Sequence, residues 1–253
     1  MSHPELWQIL VSMYPEKARW ALDYKRVPHI RHSLLPGPHA AVLLPRFGQK
    51  AMPILRHNGR VLKNSAAVLD YVEQVWPDPP LYPANPVQRE RALEIQKWFD
   101  DEIGPAVRRA TFHEWLPHTE YTARRFATGL PEWQQKLYVS LFPAVRVIMK
   151  LDMRISATGA EAGCTLTRKA LDFVAQHPSQ TGFLVGDRFS IADLTAATVL
   201  FPTCLPPEYP VAFPEPRPAG WLQWLERWQD HAGCDYVRRI YREHRGTSAA
   251  VTE

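Results

Sequence analysis

The sequence predicts an α/β unit followed by an all-helical one. Strand-like and helix-like segments alternate up to Val75, and strand signals vanish beyond Val87. Between them Trp76–Pro86 carries five prolines, which neither a helix interior nor an inner strand tolerates. That stretch is a stiff connector, and it divides the 253-residue chain into residues 1–80 and residues 87–253.

In the first unit the apolar run Leu6–Val11 reads as a strand and Glu16–Tyr24 as a helix. Val27–Ser33 alternates like a second strand. Residues 34–49 are rich in Pro, Gly and small side chains and are expected to be irregular. Met52–Arg56 and Arg60–Leu62 bracket His57-Asn58-Gly59, whose Asn-Gly signals a hairpin. Ser65–Val75 places apolar residues at 68, 69, 72 and 75, a helical spacing. Strand–helix–strand, hairpin, helix is the thioredoxin-like order.

In the second unit Val87–Trp115, Pro131–Ile155, Leu166–Gln176 and Ser190–Leu200 read as helices. Residues 202–218 are proline-rich and are expected to wrap the surface, and Trp221–Arg245 holds one or two final helices. Ser190 and Asp193 stand as in a capping box, with Phe189 and Leu194 at the staple positions. The cap contributes about 1 kcal/mol. From Gly246 on the residues are small and polar, and fraying is expected.

Composition excludes several classes. A hydrophobic fraction of 45% with 22% charged residues is that of an ordinary globular protein. Thirty basic residues against 26 acidic ones leave +4, too mild for a dedicated nucleic-acid binder. The Arg pairs at 108–109, 124–125 and 238–239 are flanked by acids or aromatics and read as solvated helix faces. Three cysteines, in no Cys-x-x-Cys arrangement, argue against a disulfide framework and a zinc site and fit a reducing compartment. No His pairs with another ligand at metal spacing, so no metal is expected. No secretory signal pattern and no apolar run of about 18 residues is found, so a cytoplasmic protein without membrane contact is expected.

The candidate chemistry begins at Ser12, where a strand turns into a helix. Unpaired N–H groups and the positive end of the helix dipole favour an anion there, and a thiolate is one such anion. A free thiol has a pKa of about 8.5, which a hydroxyl donor at a helix terminus lowers. The competing reading of Ser12 is a helix cap. Tyr14 is a second hydroxyl donor nearby. Met52-Pro53 before a strand and Asn64-Ser65 before a helix are further candidates, each with a structural alternative: an edge-strand proline and an N-cap.

Four segments, Ser12–Leu22, Lys50–Leu55, Lys63–Leu69 and Leu184–Leu194, together resemble the soluble, cytosolic-type glutathione transferase family. Ser12 followed by Lys17-Ala18-Arg19-Trp20-Ala21-Leu22 resembles the Ser-type pattern of bacterial members, with Met13 and Pro15 in place of the usual Pro and second Ser. The resemblance implies a thioredoxin-like N-terminal domain on residues 1–80, an all-helical C-terminal domain on residues 87–253, a homodimer, and glutathione as cosubstrate. It implies that Ser12 stabilises the glutathione thiolate. The main chain of Met52, before a cis Pro53, would hold the cysteinyl unit like an added strand. Asn64 and Ser65 would hold the γ-glutamyl end, and Lys50 the glycyl carboxylate. Tyr14, Phe112 and Trp115 would line the pocket of a small hydrophobic electrophile. With no Cys at position 12, a mixed disulfide at this site is excluded.

Trp98–Pro105 and Tyr236–Arg242 also resemble the bacterial branch, and the acids Asp100, Asp101 and Glu102 form a cluster that either faces the cleft or, the favoured reading, is a solvated face. The implied activity is conjugation of glutathione to the electrophile, as in detoxification. The alternatives are a binding or scaffolding protein without turnover, and a glutathione-dependent lyase, isomerase or peroxidase. The stretch His113–Ala160 exceeds what a minimal helical domain needs and is expected either to enlarge the pocket or to cover it.

Overall fold

A computed structural model describes residues 2–178 and 180–252. The N-terminal unit is built from β1 (Glu5–Gln8), α1 (Met13–Tyr24), β2 (Ile30–Ser33), α2 (His39–Phe47), β3 (Ile54–His57), β4 (Arg60–Leu62) and α3 (Ser65–Val75). The sheet order is β2-β1-β3-β4. β1 runs parallel to β2, with Leu6 beside Arg31, and antiparallel to β3, with Leu6 beside Leu55. This is the thioredoxin-like arrangement that the element order predicts.

One helix was hidden in the sequence. The stretch expected to be irregular contains α2, with Pro45 inside it. Its Leu43 and Phe47, four residues apart, pack on Trp7 and Ile54 of the sheet. Nine residues with a proline do not hold a helix alone, and tertiary burial supplies what propensity withholds.

The C-terminal unit contains α4 (Pro86–Trp98), one π-helical turn at Phe99–Ile103, α5 (Gly104–Trp115), α6 (Thr119–Phe126), α7 (Glu132–Asp152), α8 (Ala157–Gln176), α9 (Ile191–Cys204), α10 (Ala219–Gln229) and α11 (Ala232–His244). Every residue of α9 is buried, as its nearly uniform apolar sequence requires of a central helix. The capping box forms as expected. Asp193 accepts the backbone N–H of Ser190 at 2.9 Å and that of Leu184 at 2.8 Å, and also the Tyr236 hydroxyl. Burial still pushes its carboxyl above the usual range, so these donors offset a real desolvation cost. Cys204 and Cys234, distant in sequence, bring their buried thiols to 2.6 Å at the α9–α11 contact.

The tail is a second correction. The described tail residues are held in place: Ala250 bridges His29 in parallel, and the Val251 N–H donates to the His29 carbonyl at 2.9 Å. The anchor is a buried ion network that composition does not reveal. Arg245 donates to Glu16 at 2.6 Å and to Asp23 at 3.0 Å, and both acids are fully screened from solvent. Arg19 donates to Glu16 at 2.6 Å, Arg31 to Asp23 at 2.7 Å, and the Ala249 N–H to Asp23 at 2.8 Å. Among the described residues no helix is long and apolar enough to cross a membrane.

Candidate active site

A cavity of about 1040 Å³ lies between the two units. It brings together every candidate named from sequence: Ser12, Tyr14, Lys50, Met52, Pro53, Asn64, Ser65, Phe112 and Trp115.

Ser12 occupies the N-cap position of α1 with extended backbone angles, yet its side chain makes no capping bond. Its carbonyl accepts the Glu16 N–H at 3.0 Å, so the main chain closes the first turn and the hydroxyl is not consumed by it. Pro15 sits in that first turn, where its missing N–H costs nothing. Tyr14 points elsewhere. Its hydroxyl donates to the Asp100 carbonyl at 2.9 Å, and burial pushes its pKa up to about 12. Gly104 makes room for that hydroxyl, because a Cβ there would collide with it.

The Met52–Pro53 peptide is cis, and both residues line the cavity. At α3 the cap is Asn64, whose Oδ1 accepts the Ala67 N–H at 2.8 Å. That oxygen keeps a second lone pair, and the amide NH2 offers two donors. Ser65 is the first residue of the helix and is buried at the cavity wall. Lys50 reaches away from this end, to Asp152 of α7 at 2.6 Å, with both side chains about half exposed.

The opposite wall comes from α5 and α7. Arg108, Thr111, Phe112 and Trp115 line the cavity from α5. Phe112 and Trp115 meet edge to face with centroids 5.6 Å apart. The long α7 covers the cavity, contributing Leu141, Val145, Ile148 and Met149. It is tied across to the sheet side, because the Tyr138 hydroxyl donates to the Pro36 carbonyl at 2.9 Å and Val145 packs on Gly37. The segment of undecided role therefore forms a strap over the cavity.

The acids at 100–102 do not form one solvated face. The π turn, a local widening common near functional sites, brings Asp100 and Asp101 to the cavity wall. Asp100 pairs at 2.6 Å with Lys17, which is fully buried under the first turn of α1. Burial pulls the Lys17 pKa down, and the Asp100 carboxylate opposes that pull. The cleft-facing alternative for the acidic cluster holds for Asp100 and Asp101. Sequence reading missed Arg108 and Thr111: Arg108 was seen only as a member of a basic pair, and the spacing of Arg108, Thr111, Phe112 and Trp115 along one helix face was the available signal. Among the described residues no cluster of three His, Cys, Asp or Glu is placed to hold a metal.

A thioredoxin-like domain whose first helix opens onto a cavity roofed by an all-helical domain defines a two-domain transferase-type fold. Residues 6–80 match the model of the glutathione S-transferase N-terminal domain, and residues 157–227 match that of its C-terminal domain. With both domains matched over more than half of its length, the chain belongs to the glutathione transferase family. It is similar to glutathione S-transferase U6 of Arabidopsis thaliana, 29% identical over 100 residues, which cover 39% of this chain and 45% of that one. Glutathione S-transferase U4 of the same plant is 34% identical over 58 residues, 23% of this chain and 26% of that one. The matched stretches span less than half the length of these relatives. Solved structures share the fold, two of them as follows. A glutathione S-transferase from Rhodospirillum rubrum has a TM-score of 0.61 at 18% identity, covering 95% of this chain and 88% of that one. One from Methylobacterium radiotolerans, in complex with glutathione sulfonate, has a TM-score of 0.59 at 18% identity, covering 100% and 97%.

Proposed function

We propose that the protein is a Ser-type glutathione transferase. Its residues 1–80 bind glutathione, and its residues 87–253 hold a small electrophile. The observation that carries this reading is Ser12: a hydroxyl at a helix N-terminus, facing a cavity and not spent on capping. Glutathione lies along the sheet-side rim, its cysteinyl unit on the Met52 main chain and its γ-glutamyl carboxylate at the start of α3. There the Ser65 hydroxyl and the helix N-terminus take the carboxylate, and the Asn64 amide orients the amino group. The thiol loses its proton to water, and the Ser12 hydroxyl together with the dipole of α1 stabilises the sulfur anion. The sulfur then forms a bond to the electrophilic carbon, and the leaving group departs with the bonding electrons. The family's homodimer and a cytoplasmic detoxifying role belong to the same reading, and light scattering in solution tests the first.

The test is an ultraviolet difference titration of glutathione across pH, following the thiolate band. Saturable thiolate formation is expected at a pH where free glutathione stays protonated. In Ser12→Ala the band shifts to higher pH and turnover falls on the order of 10²-fold, as for loss of one donor to a developing anion, while glutathione affinity stays within about threefold. A band unchanged by Ser12→Ala would falsify the role given to Ser12. A second reading, a glutathione-binding module without turnover, is favoured by the prior engagement of Asn64 Oδ1 and of Lys50. Glutathione binding with no turnover on a broad electrophile panel would select it. Elimination or peroxide reduction in place of conjugation, read from the products, would select a lyase or peroxidase.

A further inference from the structure

The strap helix α7 has two apolar faces, and the chain buries only one of them. Tyr138, Phe142, Val145 and Met149 form the buried face, where Phe142 meets Phe126 of α6. Leu137, Leu141, Ala144, Ile148 and Leu151 recur at alternating steps of four and three, so they form one line along the helix. At 3.6 residues per turn that line is rotated roughly 110° from the buried face. All five are exposed, and so are Trp133 and Val147 beside them. Trp133 is 66% and Leu151 73% exposed. Leu141, Ala144 and Ile148 also reach the cavity, whereas Trp133, Leu137, Val147 and Leu151 lie outside it.

Elsewhere among the described residues large exposed apolar side chains are scattered, one or two to an element, which is ordinary. A continuous stripe is not, and it marks a surface that meets something. The stripe lies outside both family matches, which cover residues 6–80 and 157–227. Its pattern names the occupant. Steps of four and three are the seam of a two-helix coiled coil. Leu137 and Ile148 stand equally far from the midpoint between residues 142 and 143, as do Leu141 and Ala144. The seam is therefore complementary to an antiparallel copy of itself. At on the order of 100 Å² for each of six exposed large side chains, two copies bury roughly 1,200 Å², the size at which specific interfaces begin. A lipid surface fits less well. The helix carries three basic and two acidic residues, with Lys136 paired to Glu132, which leaves little positive charge to hold it on anionic headgroups.

We propose that two copies of this chain associate through α7, packed antiparallel about a twofold axis that passes between residues 142 and 143. Leu137 lies on the partner subunit's Ile148, and Leu141 on the partner subunit's Ala144, long side chain against short at the centre. Trp133 closes each end beside the partner subunit's Leu151. The partner helix backs Leu141, Ala144 and Ile148 from outside, so it stiffens the wall that these residues give to the cavity. The interface rests on the stripe alone. It assigns a face to the homodimer and does not depend on the role given to Ser12.

Sedimentation velocity of the full chain at micromolar concentration is expected to show a dimer. Leu137→Glu and Ile148→Lys change side chains that are more than half exposed in one copy, so circular dichroism should find each variant folded. Each is expected to weaken association at least about tenfold. Mixed in equal amounts the two variants should pair again, because the new acid of one copy then meets the new base of the other. The second layer of that mixed pair keeps its leucine and isoleucine. Leu222→Glu, at an exposed apolar position of α10, should dimerise like the wild type. A monomeric wild type overturns the interface, and so does equal dissociation in Leu222→Glu. A dimer that persists in both α7 variants overturns it as well and leaves the homodimer to another face. Two dissociated variants that do not recover on mixing overturn the antiparallel register. Flotation of a monomeric wild type with phosphatidylglycerol vesicles, lost in Leu137→Glu, would give the face to lipid instead. The thiolate titration is run on the same samples, so loss of the Ser12 role and loss of the α7 interface are read separately.

Discussion

The two walls of the cavity are made of different material. The sheet-side wall presents main chain and helix starts: Ser12 before α1, Met52 before β3, Asn64 and Ser65 at α3. The helical wall presents side-chain faces of α5 and α7. Main chain and helix termini are set by the fold itself, so the first wall suits a ligand that is always the same. Side chains on a helix face change by substitution without disturbing the backbone, so the second wall suits a variable partner. Lys17 and Asp100 join the two.

That joint offers the sharpest way to break the contrast. Asp100→Ala leaves a fully buried ammonium without its carboxylate, at a cost of about 3–5 kcal/mol. The urea midpoint is expected to fall accordingly, and adding Lys17→Met should restore most of it. A loss below about 1 kcal/mol would mean that the walls are held together elsewhere.

Acid should strike the sheet side first. His29 holds the Val27 carbonyl with Nδ1–H at 2.8 Å, while its Nε2 accepts from Arg31 at 2.9 Å, so the ring is neutral. Burial pulls its pKa down from the ordinary histidine value to about 4. The unfolded chain takes up a proton near pH 6.5 that the native ring refuses until about pH 4. Stability is therefore fully present above pH 6.5 and falls as pH drops through that window, by on the order of 3 kcal/mol. Urea midpoints at pH 7.5 and 4.5 should diverge less in His29→Gln, and an equal divergence would assign the acid sensitivity to another group.

Asn64→Ala should cost about 1 kcal/mol through the lost cap and should also weaken glutathione binding. Asn64→Asp keeps the cap and adds a negative charge beside the γ-glutamyl amino group, so thermal stability should hold while glutathione affinity rises. Lys50→Met should change stability least, within about 1 kcal/mol, because its pair with Asp152 is half exposed. Unchanged glutathione affinity in that variant would confine Lys50 to fastening α7.

The same difference in material explains what the sequence made legible. Helix starts advertise themselves by residue type, so the Ser190–Asp193 box and the span of α3 from Ser65 to Val75 were readable. Features that depend on partners far along the chain were not. Three prolines and a glycine around residues 36–45 masked α2, whose Leu43 and Phe47 are held by Trp7 and Ile54. The small polar residues after Gly246 gave no hint that Asp23 and His29 would hold them. Asp100 read as one acid among three because nothing local marks a π turn that carries it to Lys17. Arg108 read as half of a basic pair, although Arg108 and Arg109 stand 100° apart around the helix and meet different surroundings.

The docking of the tail has a consequence for synthesis. The ribosome delivers the sheet unit first, with Glu16 and Asp23 already in place but without Arg245, the cation that meets them both. The β2 side of that sheet likewise waits for Ala250 and Val251, more than two hundred residues later. Domains often fold in the order in which they emerge. Here the first-made domain lacks the Arg245 contacts to Glu16 and Asp23 and the bridge at His29 until the rest of the chain has been translated, so a nascent chain stalled before Arg245 should be more protease-sensitive in its N-terminal third than the released protein.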